Sequence, residues 1–360
     1  MDIYAALLAA CPGFGSGSIR SLIKFFGGAR RVWKAGADEL KAAHILTPKR
    51  FDKLLSFRNT TGPEAMEQAM KRGGMSCVTW QEEAYPSLLI ETANPPAVLF
   101  YQGILPKSDR MISVVGSRKP TAYGIQTAER LAEELSSAGV IIVSGGARGI
   151  DSAAHRGCLR GKSPTVAVAA CGLDRIYPPE NRNLFQQIQE TGCMLSEYPP
   201  GTPPLGRQFP ARNRIIAGLS RGVLVVEAAQ RSGSLITSDF ALEEGRDVFS
   251  VPGNIWMNQS KGTNHLIRNG AVCVTEAADI LSEYGWKTGE SAKPADKEEL
   301  TLEEELVYRF CCTGDEVSEE DILQQSGLSM VKLKITLLSL QLKGYIQEVG
   351  PGHFISTGQG

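Results

Sequence analysis

From Met111 to about Thr275, short apolar runs alternate with amphipathic stretches of helical length, a pattern that predicts βαβ units on a parallel sheet. Strands are expected near 111–115, 140–144, 165–170, 193–196, 223–226, 247–251 and 271–274. Helices are expected between them, near 122–138, 151–160, 181–191, 211–219, 235–244 and 263–269. The run Val223-Leu224-Val225-Val226 is β-branched and lacks alternation, as in a strand covered on both faces.

Outside that block the periodicity changes. Residues 1–75 read as short helices, with Pro12-Gly13-Phe14-Gly15 turning between Ile3 to Ala10 and Ser18 to Phe26, and Gly27-Gly28 ending the second. Helix, glycine hairpin and helix in that order resemble helix-hairpin-helix modules, which point backbone N–H groups at a DNA phosphate; a helical bundle without a ligand has the same pattern. Residues 76–110 form a connector whose prolines, Pro86, Pro95 and Pro96, demote Trp80 to Gly103 to extended chain or edge strand. A stretch at 286–299 rich in Ser, Lys, Pro, Asp and Glu reads as a linker. From 300 to 360 a helix to Phe310, a second capped by Ser318, a third from Ser329 to Lys343 and a terminal β-ribbon resemble a winged helix. Its third helix has three lysines and no arginine, and Glu303 to Glu305 and Glu316 to Asp321 make the module acidic. Protein contact or steric regulation is therefore expected of it ahead of duplex reading. The expected division is a helical domain at 1–75, a sheet domain at 76–285, the linker and the C-terminal module.

Net charge is −1 over 360 residues, so affinity for a polyanion has to come from local patches. The eight cysteines form no CxxC pair and no metal-ligand spacing; they read as small buried hydrophobes in a reducing cytosol, and no metal is expected. No window approaches eighteen apolar residues, and MDIYAALLAACPGFG lacks the basic start of a signal peptide. A cytoplasmic protein without a membrane span is expected.

The candidate chemistry lies in loops that follow strands. Gly116-Ser117-Arg118-Lys119, Ser144-Gly145-Gly146-Ala147-Arg148-Gly149 and Arg231-Ser232-Gly233-Ser234 each combine glycine, which lets a ligand approach the backbone, with arginine. Loops at the carboxyl ends of parallel strands converge, and helix N-termini there favour phosphate. Arg207, Arg212, Arg214 and Arg221 lie within fifteen residues without an intervening acid. Arg118, Arg148, Arg212, Arg214 and Arg231, beside Lys119, Ser144 and Asn213, are the candidate basic groove. The amides of Gly116, Ser117, Gly145, Gly146, Ser232, Gly233 and Ser234 are candidate phosphate donors. Phe209 is the candidate stacking residue, worth about 1–3 kcal/mol per base if it stacks; a core aromatic is the alternative. Asp151 is expected to cap a helix, His155 to pack, and Glu227 to hold an arginine in place. Neither G-x-G-x-x-G after the first strand nor G-x-x-x-x-G-K-[ST], HExxH or GxSxG occurs, and the four histidines are scattered. No catalytic residue and no cofactor are expected.

The strings ValValGlySerArg (114–118), SerGlyGlyAlaArgGlyIleAsp (144–151), GlyLeuAspArgIleTyrProProGluAsn (172–181), SerGluTyrProProGly (196–201), PheProAlaArgAsnArgIleIleAlaGlyLeuSer (209–220), ArgSerGlySerLeuIleThr (231–237) and GlyArgAspValPheSerValProGly (245–253) resemble the DNA-processing protein A family (DprA, also called Smf). They run in unbroken order over about 110 to 275; Gly146 stands where many members have leucine. The resemblance implies an α/β protein with an extended Rossmann-like parallel sheet, a small N-terminal helical (helix-hairpin-helix or SAM-like) domain and a C-terminal winged helix. It implies a non-enzymatic homodimer that binds single-stranded DNA and loads the RecA recombinase during natural transformation. The alternative is a phosphoribohydrolase on a related fold. Such enzymes carry PGGxGTxxE, whereas Arg231 to Thr237 is followed by no glutamate until Glu243.

Overall fold

The main sheet is built from β1 (Ser76–Thr79), β2 (Val98–Gly103), β3 (Met111–Val115), β4 (Ile141–Ser144), β5 (Thr165–Val168), β6 (Cys193–Ser196), β7 (Gly222–Val225), β8 (Asp247–Ser250) and β9 (Val272–Cys273). Their order is β1-β2-β6-β5-β4-β3-β7-β8-β9. β3 to β9 pair in parallel, while β1 and β2 extend the β6 edge antiparallel. The chain steps outward from β3 through β4, β5 and β6, then returns to lay β7 on the other flank of β3. That reversal makes β3/β7 the topological switch point, whose carboxyl side is the ligand crevice of open α/β sheets.

Alternation along the strands sorts side chains between two layers. Ile112 and Val114 of β3 and Leu224 of β7 pack with the helices Ala122–Ser137, Ile150–Gly161 and Ala277–Glu283. Met111, Val115, Val223 and Val225 face the other layer, which contains the helices Arg182–Thr191 and Gln208–Leu219. Val223, Leu224 and Val225 are fully buried, as a strand covered on both faces requires.

The N-terminal helices, Ile3–Ala10, Ser16–Phe26, Ala29–Lys34, Ala37–Ala42, Pro48–Thr60 and Pro63–Arg72, share the second layer's core: Leu7, Leu8, Leu22 and Leu54 belong to the same apolar cluster as Val98 and Phe100. Ser16 Oγ fixes the join, donating to Glu197 Oε1 at 2.7 Å and accepting from the Ala97 amide at 3.0 Å. The connector departs from its expected form. Val98–Gly103 is an interior strand between β1 and β6, with Val98, Leu99 and Phe100 buried; the prolines precede it and do not interrupt its ladder.

This computed structural model describes residues 1–161, 163–286, 300–312 and 316–356. The chain divides into two units, Met1–Gly289 and Glu290–Gly360; the expected linker, apart from residue 286, lies outside the described residues. The second unit has the helices Leu302–Cys311, Glu319–Ser326 and Met330–Leu342. Its sheet has the order β10-β12-β11, from β10 (Val317–Ser318), β11 (Ile346–Gly350) and β12 (His353–Ser356). Ser318 Oγ accepts from the Asp321 amide at 3.1 Å, capping the middle helix. Val307, Ile322, Leu333, Leu337 and Phe354 form this unit's own core. Among the described residues no helix is long and apolar enough to cross a membrane.

Candidate nucleic-acid interface

At the carboxyl end of β3 the backbone is stitched to its neighbours. The Ser117 amide donates to the Glu227 carbonyl at 2.8 Å, and the Ile150 amide donates to the Ser117 carbonyl at 3.1 Å. Ser117 Oγ accepts from the Lys119 amide at 3.1 Å. This braced turn leaves Arg118 exposed, with its guanidinium 5.3 Å from the centre of the Phe209 ring, within cation–π range.

The loop after β4 packs tightly. A Cβ on Gly145 would lie 2.7 Å from Arg212 Cζ, and one on Gly146 would lie 2.8 Å from the Phe185 ring at a φ of +64°; both positions require glycine. The helix Gln208–Leu219 presents Phe209 in its first turn and Arg212 one turn later. Phe209 lies 5.4 Å from the Tyr177 ring, with the planes tilted by 60°. Arg118, Gly145, Ala147, Arg148, Ala170, Cys171, Tyr177, Pro178, Phe209 and Arg212 line one open cleft. Tyr177 is 46% exposed and Phe209 half-buried, so ring surface remains available to a ligand.

Arg212 forms the floor. It is only 3% exposed, and its Nη1 donates to the Gly145 carbonyl at 2.7 Å and to the Val168 carbonyl. Burial lowers its pKa to about 10, with the Asp151 carboxylate opposing that shift, so it remains a cation at neutral pH. Burial likewise pushes the Asp151 carboxyl above its ordinary value, and Arg212 pulls it back. Asp151 Oδ2 accepts from the Ala147 amide at 3.2 Å, tying the loop to the helix that follows. One turn on, His155 is fully buried and hydrogen-bonded through Nδ1 to Thr165 Oγ1 at 2.7 Å. Burial drives its pKa down to about 3, which keeps the imidazole neutral in a packing role.

Of the residues singled out by sequence, Arg118, Gly145, Arg148, Phe209 and Arg212 meet in the cleft; Lys119 is exposed beside it. Arg148 stands at the rim in an ion pair with Glu180. Several expectations need correction. Ser144 is buried, its Oγ donating to the Val114 carbonyl at 2.6 Å, so it cannot face a ligand. Arg212 directs its guanidinium to the Gly145 and Val168 carbonyls rather than into the open cleft. Arg214 is paired with Glu197 and donates to the Asn94 carbonyl at 2.7 Å, so its guanidinium is committed to protein partners. The Ser117 amide is already taken by Glu227. Gly116, where a Cβ would lie 2.7 Å from Ile150, and buried Gly146 serve close packing.

The loop after β7 is not part of the cleft lining. Asn213 Nδ2 reaches the Gly233 carbonyl at 3.4 Å, and Ser232 Oγ and Ser234 Oγ share a hydrogen bond at 2.8 Å. The Ser232 amide donates to the Ala229 carbonyl at 3.0 Å and the Ser234 amide to Ser232 Oγ at 3.4 Å, so neither is open to phosphate. Gly233 and Arg231 are exposed. Glu227 holds no arginine. Its carboxylate accepts from both the amide and hydroxyl of Thr121 at the N-terminus of Ala122–Ser137. Sequence reasoning missed Tyr177, Pro178, Ala147, Ala170 and Cys171; the aromatic among them stood inside the string 172–181, after β5.

A large parallel sheet with helices on both faces, and a cleft lined by cations and exposed ring surface at the carboxyl ends of β3, β4 and β5, defines a Rossmann-like α/β protein. Residues 76–285 match the family described as DNA recombination-mediator protein A, and the chain belongs to this DprA/Smf family. It is 40% identical over 278 residues to Protein Smf of Synechocystis, covering 76% of this chain and 70% of that one. It is 47% identical over 208 residues to DNA processing protein DprA of Streptococcus pneumoniae, covering 56% and 72%. The X-ray structure of the Streptococcus pneumoniae protein superposes with a TM-score of 0.68 at 34% identity, over 79% of this chain and 98% of that one. A Helicobacter pylori DNA processing protein A, solved for its single-stranded DNA binding mode, superposes with a TM-score of 0.53 at 32% identity, over 58% and 95%.

Proposed function

We propose that the chain binds single-stranded DNA in the cleft between the loops after β3, β4 and β5. The carrying observation is the Arg118 guanidinium over the Phe209 ring with Tyr177 beside it: a phosphate-binding cation adjoining two stacking surfaces. Unstacked bases offer faces to such rings, whereas a duplex keeps its bases stacked and offers mainly backbone. The Helicobacter pylori relative's single-strand binding supports the same reading. Arg118 holds the phosphate, Phe209 and Tyr177 take the base, Lys119 and Arg148 supply flanking charge, and Arg212 positions the β4 loop. Glu227, with its carboxylate committed to Thr121, is no general base for nucleotide hydrolysis, which favours a binding protein over an enzyme.

By family resemblance, the bound strand is handed to the RecA recombinase in the cytoplasm during natural transformation, by a homodimer of this chain. We read the N-terminal turn at Pro12 to Gly15 as a helix-hairpin-helix element and the C-terminal unit as a winged helix. The third helix of the latter turns Val331, Ile335 and Leu338 outward, a surface suited to protein contact more than to phosphate. Arg118→Ala tests the cleft directly. Single-strand affinity falls ten- to a hundredfold, the equivalent of about 1.5–3 kcal/mol for a charge-assisted contact, with the melting temperature unchanged. Wild-type affinity in a folded Arg118→Ala protein would refute the assignment.

A further inference from the structure

Beyond the cleft, the same edge of the sheet carries an apolar tip. The loop after β8 exposes three consecutive apolar side chains, Ile255 at 72%, Trp256 at 85% and Met257 at 45%. Single exposed apolar residues are ordinary, but a contiguous group headed by an open indole marks an interaction surface. The tip is braced. Asn264 Nδ2 donates to the Gly253 carbonyl at 2.9 Å and its Oδ1 accepts from the Gly253 amide at 3.1 Å. Asn254 Oδ1 accepts from the Trp256 amide at 2.9 Å. The indole is thus presented from a backbone already fixed, which lowers the ordering cost of a contact.

Charge and position indicate the occupant. No acidic residue occurs between Asp247 and Glu276, nor between Glu227 and Asp239, and the exposed cations on this corner are Arg231 and Lys261. The loops after β7 and β8 are joined, the Ala228 amide donating to the Gln259 carbonyl and the Gly262 amide to the Ala228 carbonyl, each at 2.8 Å. In the order β3-β7-β8, two strand spacings, about 10 Å, separate the base of the Arg118 loop from that of the Trp256 loop. Arg231 lies on the intervening loop.

We propose that Trp256, flanked by Ile255 and Met257, is a second stacking platform for single-stranded nucleic acid, engaged by the same strand after it leaves the cleft and passes Arg231. This rests on the proposed single-strand binding and extends its path along the carboxyl edge. It also gives Arg231, which lies outside the cleft, a place in binding.

The test compares the full chain with its Trp256→Ala, Trp256→Phe and Arg118→Ala variants. Each is titrated with a short oligothymidylate of about four nucleotides and a long one of about twenty, with particle mass followed by light scattering. Trp256→Ala weakens the long oligonucleotide by about tenfold and leaves the short one unchanged, while Trp256→Phe retains most of the long-oligonucleotide affinity. Wild-type affinity of Trp256→Ala for both lengths, with Arg118→Ala weakened for both, overturns the second platform and leaves the cleft standing. A change of particle mass in Trp256→Ala without a change in affinity also overturns it, making the tip a face for a second copy of the chain. Failure of the wild-type chain to bind either length removes the cleft assignment, and this proposal with it.

Discussion

The helix Gln208–Leu219 and the loop after β3 both bring arginine to the carboxyl edge of the sheet, and the two regions put it to opposite uses. On the helix, Arg212 is buried against the Gly145 and Val168 carbonyls, and Arg214 is clamped between Glu197 and the Asn94 carbonyl. After β3, the braced Ser117 turn leaves Arg118 exposed with an aromatic ring beneath it. A guanidinium has five donors in a fixed fork; where carbonyls and carboxylates meet them, the group holds backbone together. An arginine-dense segment can therefore contribute rigidity while a lone arginine on a tight loop stays open to solvent. The first shapes the cleft in which the second works.

Removing the inward set has the largest effect. Arg212→Ala leaves the Gly145 and Val168 carbonyls without their donor, a loss of about 1–3 kcal/mol for each buried group left unsatisfied, read as a large drop in the denaturation midpoint. Arg212→Lys does not restore it, because one ammonium cannot reproduce the planar fork. An unchanged midpoint would place Arg212 with the outward set.

The outward set responds in affinity instead. Phe209→Ala loses about 1–3 kcal/mol for the base it stacks in a fluorescence anisotropy titration, and Phe209→Tyr keeps most of it. A Phe209→Ala protein that binds as wild type but melts far lower would make the ring core packing.

Acid sharpens the contrast more gently. His155 has its pKa depressed from 6.5 to about 3 by burial, so the unfolded chain binds the extra proton within that window. Its contribution is fully present above pH 6.5 and is lost as pH falls towards about 3, approaching about 1.4 kcal/mol per pH unit below 6.5. Asp151, whose carboxyl is pushed upward, gives the opposite slope above its own ordinary value, so the comparison is made against His155→Asn. That variant shows a flatter acid limb in chemical denaturation; parallel limbs would contradict the buried neutral imidazole.

The parallel sheet was legible in the sequence because Val223 to Val226 and its counterparts are unbroken apolar runs between helical periods. Arg118 and Phe209 were legible as well, since both sit beside signals that local chemistry explains. The fate of the other arginines was not. Arg212 bonds carbonyls 67 and 44 residues away, and Arg214 meets Asn94 across 120 residues; no local pattern encodes partners supplied by the fold. Glu227 misled for the same reason, its partner Thr121 lying 106 residues back. Val98–Gly103 was misplaced at an edge because neighbouring prolines were weighed above the strand's own apolar side chains.

The most direct measurement is a salt titration of oligonucleotide binding, single-stranded and duplex side by side, on the wild-type chain and Arg118→Ala. Single-strand affinity should be the stronger of the two and fall with a log–log slope of about −0.7 per phosphate neutralised, and Arg118→Ala should flatten that slope by about one such contact. A salt-independent affinity, a preference for duplex, or an identical slope in the variant would contradict a single strand held at Arg118.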